Sequence, residues 1–496
     1  MKIAIVGGGS AGWLSACLID ALLNGRSSLT KRVEITLIES PSVQRIGVGE
    51  ATVPTLVNTL RQLDVREHDF LREADATFKQ GIKFSGWKTD TGHSYFHTFD
   101  RCQSIDHQHS GLRWAASERN IPFAYYVSPQ PALCDLHRAP RRVWDSDYCG
   151  AFLYAYHLDA EKFAHYLCGL GEARGITHIV DDVVEVSLSS PNTIGRVRTN
   201  SGFEVAADYF IDCTGFARAL CSRLSGFEFI PFSDWLICDR AIAMQVPYAL
   251  APTKTIAPFT KATALSAGWA WDIALRNRRG TGYVYSSRHI TDEDAERELR
   301  AHEGRGSESL AARRIEFELG RLARPWTGNC IAIGLSGGFI EPMESTGIYL
   351  IEYAARTFSE LYPIFGESEL LSERFNALVA ERYNEILDFI NVHYVLSNRT
   401  DTSFWRDATS PQRITRSNLA RFSLWNAKMI STSDFPSAHQ LFGYQNYEYC
   451  VYGLGRASMS VRRSNSPITP LPGVLRAIEQ LTSVLPDHAD YLAAVA

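Results

Sequence analysis

Two stretches of this 496-residue chain place chemically useful groups at spacings that chance seldom gives. The first is residues 328–349, GNCIAIGLSGGFIEPMESTGIY, where an apolar run over 330–333 reads as a buried strand leading into a loop with Gly334, Gly337 and Gly338. Glycine lets the backbone approach a ligand closely there. Ser345 and Thr346 are residue types that cap helices, and Ile348, Ile351, Ala355 and Phe358 follow at helical spacing, so a helix is expected to begin at this point. The free backbone N–H groups of a helix start attract anions. Glu344, just before it, is either held ionised by that positive end or an ordinary helix-end acid, and the stretch alone leaves both open.

The second stretch is Gly7-Gly8-Gly9-Ser10-Ala11-Gly12, between a short strand over 2–6 and a helix whose buried side is Trp13, Ala16, Cys17, Ile19, Ala21 and Leu22. In this G-x-G-x-x-G pattern Gly7 permits the turn, Gly9 admits a pyrophosphate and Gly12 allows close helix–strand packing. A second strand over 33–38 ends at Glu39, whose carboxylate can accept a ribose hydroxyl, although it lies further from the glycines than the usual ~20 residues. Strand, turn, helix, strand and acid in this order define a dinucleotide site. The glycines do not say which dinucleotide.

Other candidates are ambiguous singly. Residues 45–54, RIGVGEATVP, form a Gly-rich strap containing Gly49, Glu50 and Ala51. Residues 78–87 alternate well enough for one strand and carry Lys79 and Lys83, although a lone lysine is normally a solvated charge. His97 and Phe99 lie in a short aromatic strand over 96–99, and residues 100–150 read as an irregular, aromatic insert. Helical spacing returns over 159–169, followed by strands near 179–186, 195–198, 203–205 and 210–213. A β region covers 241–246, 268–273 and 283–286; in its GWAWDI segment Trp269, Trp271 and Ile273 share one strand face and make either an apolar wall or core packing. From 368 onward the chain reads as helical, notably 375–395, and 442–452 is densely aromatic.

Composition excludes several classes. A charged fraction of 21% and a hydrophobic fraction of 45% are those of a folded protein, and a net charge of −5 gives no general attraction to nucleic acid. The ten cysteines contain no CxxC pair. Cys134-x-x-His137 and His165-x-x-Cys168 lack a second pair nearby, so no metal site is expected, and the cysteine usage suits a reducing, cytoplasmic setting. Glycines and Asp20 interrupt the apolar N-terminus, arguing against a signal peptide, and no stretch is long and apolar enough to imply a membrane span.

Taken together, the glycine turn, the RIGVGEATVP strap, the Lys79 segment and GWAWDI resemble the flavin-dependent tryptophan halogenase family over most of the chain. The resemblance implies an α/β fold: a Rossmann-like FAD-binding domain of the flavin monooxygenase type, an inserted β region and a mainly helical C-terminal substrate region. It assigns 1–95, 151–235 and 325–365 to a discontinuous FAD-binding module and 96–150, 236–324 and 366–496 to a substrate-binding module. FAD contacts would come from Gly7, Gly9, Ser10, Ala11, Gly12, Glu39, Gly49, Glu50, Ala51, Gly334 and Gly337, and halide contacts from the Thr346 and Gly347 backbone. A separate flavin reductase would supply FADH2, whose reaction with oxygen and halide yields hypohalous acid. This would travel to Lys79, which holds it by hydrogen bonding or as a haloamine, while Glu344 assists substitution on the ring. Trp269, Trp271 and Ile273 would separate flavin from substrate, and His97, Phe99 and Phe442 would line the substrate site.

The sequence departs from the family pattern where Ala274 replaces the usual proline and where Phe442-Gly443 replaces phenylalanine–tryptophan. Polar residues for the amino-acid portion of free tryptophan are not placed. The expected substrate is therefore indole or a substituted indole, with bromide as readily used as chloride; a homodimer is left open. An FAD-dependent aromatic monooxygenase and a non-catalytic flavin-binding redox sensor are the alternatives, and Lys79, Glu344 and GWAWDI argue against both.

Overall fold

Two segments flank the strand Lys2–Val6, which pairs in parallel with Glu34–Glu39 on one side and Tyr209–Asp212 on the other. Parallel strands covered on both faces favour unbroken apolar runs, and Ile3, Ala4, Ile5 and Val6 are all buried. The six-stranded sheet runs Trp326–Thr327, Cys330–Ala332, Tyr209–Asp212, Lys2–Val6, Glu34–Glu39 and Thr177–Val180 in spatial order. Helix Ser10–Leu23 packs against both Ala160–Ala173 and Gly347–Glu360. The computed structural model describes residues 1–25, 32–43, 49–89, 92–103, 110–250, 255–363, 369–435, 437, 440–456, 461 and 464–495. Residues 45–48 of the strap lie outside the described residues.

A seven-stranded sheet has the order Ala312–Glu316, Arg240–Pro247, Arg278–Tyr285, Gly268–Ala274, Thr260–Ala264, Gly81–Ser85 and Ser94–Thr98. Its neighbours are antiparallel except Thr260–Ala264 with Gly81–Ser85. One sheet thus carries both the indole pair and His97. A three-stranded sheet places Gly49–Ala51 and Thr77–Lys79 on either side of Ala155–Asp159, so strap and lysine share a partner strand.

The single strand expected over 78–87 is two strands in two sheets. Gln80 between them donates its N–H to Pro258 O at 2.8 Å, and the chain crosses from one sheet to the other. Side-chain alternation reports local pleat and is blind to such a change of partner. The insert over 100–150 holds three short helices, Ser110–Ala116, Phe123–Val127 and Gln130–Asp135. Asp159 begins the expected helix as a cap, accepting N–H bonds from Glu161 and Lys162, both at 3.1 Å. The long helix Glu369–Val395, of 27 residues, lies within the principal core together with the aromatic helix Tyr444–Gly453. No helix among the described residues is long and apolar enough to cross a membrane.

Close packing of the glycine turn sets a direct test. A Cβ at Gly12 would lie 1.8 Å from Gly7 O, which is backbone and cannot swing away. G12A is expected to destabilise the fold by about 1–3 kcal/mol, the usual cost of overpacking, seen as a lower midpoint in chemical denaturation. A midpoint equal to wild type would contradict this packing.

Candidate active site

A cavity of about 730 Å³ is bordered by the glycine turn, the strap, the 334–347 segment and the indole wall. Gly7, Gly9, Ser10, Ala11, Glu39, Gly49, Glu50, Ala51 and Gly334 line it; Gly12 and Gly337 do not. Gly12 packs on the Gly7 carbonyl, and a Cβ at Gly337 would meet Ala332 O at 2.9 Å, so Gly338 rather than Gly337 reaches the lining. The space beside Gly9 and Gly347 is open, with nothing within 4 Å of an added Cβ. Neither helix starting here, Ser10–Leu23 or Gly347–Glu360, has a side-chain cap. Their leading N–H groups are thus left for a ligand, which fits a dinucleotide phosphate at one helix and a small anion at the other.

Glu39 lines the cavity while its Oε2 accepts from Trp13 Nε1 at 3.2 Å and lies 3.3 Å from His178 Nε2. Glu50 is partly buried at the cavity lining, and burial pushes its carboxyl up to about 7. The adenine and ring ends of a dinucleotide would both be accommodated by a lining this rich in backbone and apolar surface.

Ser345 and Thr346 were both cap candidates in sequence, and they take different parts. Thr346 occupies the cap position without making a side-chain bond. Ser345 adopts a left-handed backbone, φ 61°, and its Oγ accepts from Lys79 Nζ at 2.8 Å. Lys79 is fully buried and gives a second hydrogen bond to Thr52 O at 2.9 Å; its nitrogen also lies 5.1 Å from the centre of the Phe99 ring. Burial lowers its pKa to about 7, an effect the nearby Glu344 charge only partly opposes. Two of the three ammonium directions are therefore occupied, and the remaining one carries either a proton or a lone pair.

Glu344 lies between two buried histidines. Its Oε2 is 2.9 Å from His97 Nδ1, and its Oε1 is 2.9 Å from His393 Nε2. The second contact is off the ring N–H line, which leaves Oε1 buried without an aligned donor. The His97 tautomer follows from its neighbours. Gly443 N–H donates to Asn446 Oδ1 at 2.8 Å, which turns Asn446 Nδ2 toward His97 Nε2 at 3.0 Å. His97 Nε2 must accept, so the ring proton sits on Nδ1 and is donated to Glu344. Burial opposes ionisation of Glu344, but His97 and His393 outweigh it and hold the carboxyl below its ordinary value. Burial lowers the His393 pKa, and its Nδ1 lies 2.8 Å from Tyr95 Oη.

The indole lining of the cavity is built by pleat and by a missing side chain. Trp269 and Trp271 lie on one strand face, ring centres 6.4 Å apart and edge to face, and with Ile273 they line the cavity. Gly282 faces Trp271 across the sheet, where a Cβ would come within 2.1 Å of the indole. Trp269 Nε1 donates to Glu341 Oε2 at 3.1 Å, and Tyr394 Oη donates to the same oxygen at 2.6 Å. Burial pushes the Glu341 carboxyl up to about 7 despite these bonds.

Beyond His97, Phe442 is buried and stacks on Phe389, ring centres 4.0 Å apart, while His97 lies 6.3 Å from Phe442. Sequence reasoning passed over Tyr95, His393, Asn446 and Glu341. A histidine in the apolar end of a long helix, four residues after Phe389, was a usable signal for His393. Nothing local marks Asn446, whose role depends on a residue 349 positions away.

A dinucleotide-type cavity lined by an indole pair, with a buried lysine and glutamate joined to its edge through Ser345, is the arrangement the fold presents. The chain belongs to the tryptophan halogenase family, whose profile matches residues 2–467. It is 32% identical to the tryptophan 6-halogenase of Streptomyces toxytricini, over all of this chain and 98% of that protein, aligned across 526 positions. Identity to the tryptophan 7-halogenase of Lentzea aerocolonigenes is 35%, covering 92% of this chain and 89% of that one. A solved tryptophan halogenase from Shewanella frigidimarina superposes with TM-score 0.91 at 34% identity, covering 100% of this chain and 97% of its own. A flavin-dependent halogenase from Brevundimonas gives TM-score 0.85 at 32% identity, with 99% of both chains covered.

The depressed Glu344 carboxyl makes stability depend on pH with a definite sign. Its contribution is complete above the unfolded glutamate pKa of about 4.3 and is lost as the pH falls below it. E344Q is therefore expected to lose less stability than wild type on acidification, measured by urea denaturation across that range. Equal acid dependence in the two proteins would mean Glu344 is not held ionised by its histidines.

Proposed function

We propose that this enzyme halogenates an electron-rich aromatic, an indole or substituted indole, using FADH2 from a separate flavin reductase, oxygen and chloride or bromide. Reduced flavin bound in the cavity would supply, with oxygen and halide, the hypohalous acid. The uncapped backbone N–H groups at Thr346 and Gly347 would hold the halide beside that flavin. Trp269, Trp271 and Ile273 keep the ring system of the substrate from the flavin, so that the mobile oxidant, and not the flavin itself, meets it.

The observation that carries the reading is the join at Ser345. Lys79 is bonded to the residue next to Glu344, and both side chains are out of water. The free direction on Lys79 Nζ would donate a hydrogen bond to the hypohalous acid and make its halogen more electrophilic. Attack by the aromatic carbon leaves a cationic ring; ionised Glu344 would stabilise it and accept the displaced ring proton. His97, by donating to Glu344, keeps that carboxylate in its accepting form. Gly443 supports indole over free tryptophan: nothing lies within 4 Å of an added Cβ there, so the site lacks an aromatic wall at this point.

With a flavin reductase, FAD, NADH and oxygen, indole, tryptophan and a phenol would be compared with each halide by mass spectrometry. Indole is expected to give the halogen isotope pattern and K79A to abolish it while NADH consumption continues. Oxygenated products formed without halide would establish the monooxygenase reading, and flavin binding without any product would establish the sensor.

Lysine chemistry has its own pH signature. As an ammonium donor Lys79 loses function as the pH rises through about 7. Single-turnover bromination of indole should therefore slow across that range, bromide being chosen because its hypohalous acid stays undissociated. A rate that instead rises with pH would assign the reaction to a neutral amine and a haloamine.

A further inference from the structure

Cys450 is fully buried on the helix Tyr444–Gly453, and the halogenation steps make no use of it. Its Sγ lies 3.6 Å from His393 Nε2 and within 4.8 Å of a Glu344 carboxylate oxygen and a His97 ring nitrogen. Glu344 Oε1, buried and without an aligned donor, approaches the same His393 nitrogen. A small molecule carrying an O–H would satisfy that oxygen and would sit beside the sulfur. Hypohalous acid has such a hydroxyl, and thiols are among its most reactive targets.

We propose that Cys450 is a self-oxidation site, at which hypohalous acid not consumed by an aromatic substrate converts the thiol to a sulfenic acid and halts the enzyme. The inference rests on the halogenase reading above. Cys450 Sγ attacks the halogen: the S–X bond forms, the O–X bond breaks, and the leaving hydroxide takes up the thiol proton as water. Water then attacks sulfur, forming S–O and releasing halide and a proton. Sulfur is oxidised by two electrons and the halogen is reduced to halide by the same two. Burial holds the Cys450 thiol protonated, so its proton must leave during the first step. The departing hydroxide takes it, while His393 lies beside the sulfur with Tyr95 Oη at 2.8 Å from its other ring nitrogen. The added oxygen would crowd the 2.9 Å contact between His393 and Glu344 and disturb the carboxylate.

The full-length enzyme would be run with flavin reductase, FAD, NADH, oxygen and bromide but no aromatic, then treated with dimedone and digested. A β-diketone that reports hypobromous acid by its own bromination would be used in a parallel reaction. The expected result is a dimedone adduct on the Cys450 peptide that requires bromide, disappears when indole is supplied and survives catalase. C450A should start at the wild-type rate and lose activity more slowly; the adduct on wild-type protein remains decisive if that variant does not fold. Bromination of the β-diketone with Cys450 unmodified would overturn the proposal. So would an adduct formed without bromide or prevented by catalase, because the oxidant would then be hydrogen peroxide. If the β-diketone itself stays unbrominated, the halogenase reading fails, and this inference with it.

Discussion

A carboxylate taken out of water is the constraint around which the buried polar cluster is arranged. Glu344 is 2% exposed and must be compensated from within the fold. His97 and His393 supply that compensation, and each is fixed in turn by another residue, Asn446 for one and Tyr95 for the other. Stripping one partner from a buried charge commonly costs about 3–5 kcal/mol, so the arrangement behaves as a unit. It gathers strand Ser94–Thr98, helix Glu369–Val395, helix Tyr444–Gly453 and the turn before Gly347–Glu360 around one group. The same burial that makes the carboxylate expensive makes it an effective partner for a cationic ring, since no water competes for its charge.

Lys79 meets the same low-polarity surroundings with opposite consequence. Desolvation disfavours its ammonium and Glu344 restores only part of the loss, so the lysine is poised near neutrality. Ser345 holds both ends of this relationship. Its left-handed turn brings the Gly347–Glu360 helix start to the cavity, and its hydroxyl fixes Lys79. One short segment therefore reaches the cavity on one side and the buried lysine on the other. The indole pair lines the same cavity, with Gly282 leaving room for Trp271 and Glu341 anchoring Trp269.

Much of the nucleotide side was legible because its determinants are local. The Gly7–Gly12 turn, the flanking strand and helix, and the acid at the end of the next strand each carry their signal within a few residues. The indole pair was legible as a common face because strand geometry alternates side chains. Lys79 was not legible as anything but a surface charge until the motifs were taken together, since burial is not written in a residue's immediate neighbours. The strand over 78–87 was misjudged for a related reason: the switch of sheets at Gln80 depends on Pro258 and His157, far along the chain.

The sequence by itself determined the dinucleotide turn, the helix start after Glu344 and the paired indoles, because backbone sterics and periodicity act over short range. Tertiary structure decided the charge states and the assignment of roles. It left the Gly347–Glu360 helix without a side-chain cap, gave Ser345 to Lys79, set the proton of His97 through Asn446, and brought His393 and Cys450 to Glu344. Those outcomes depend on which polar groups share a water-free space, and that is fixed only when strands and helices hundreds of residues apart have packed.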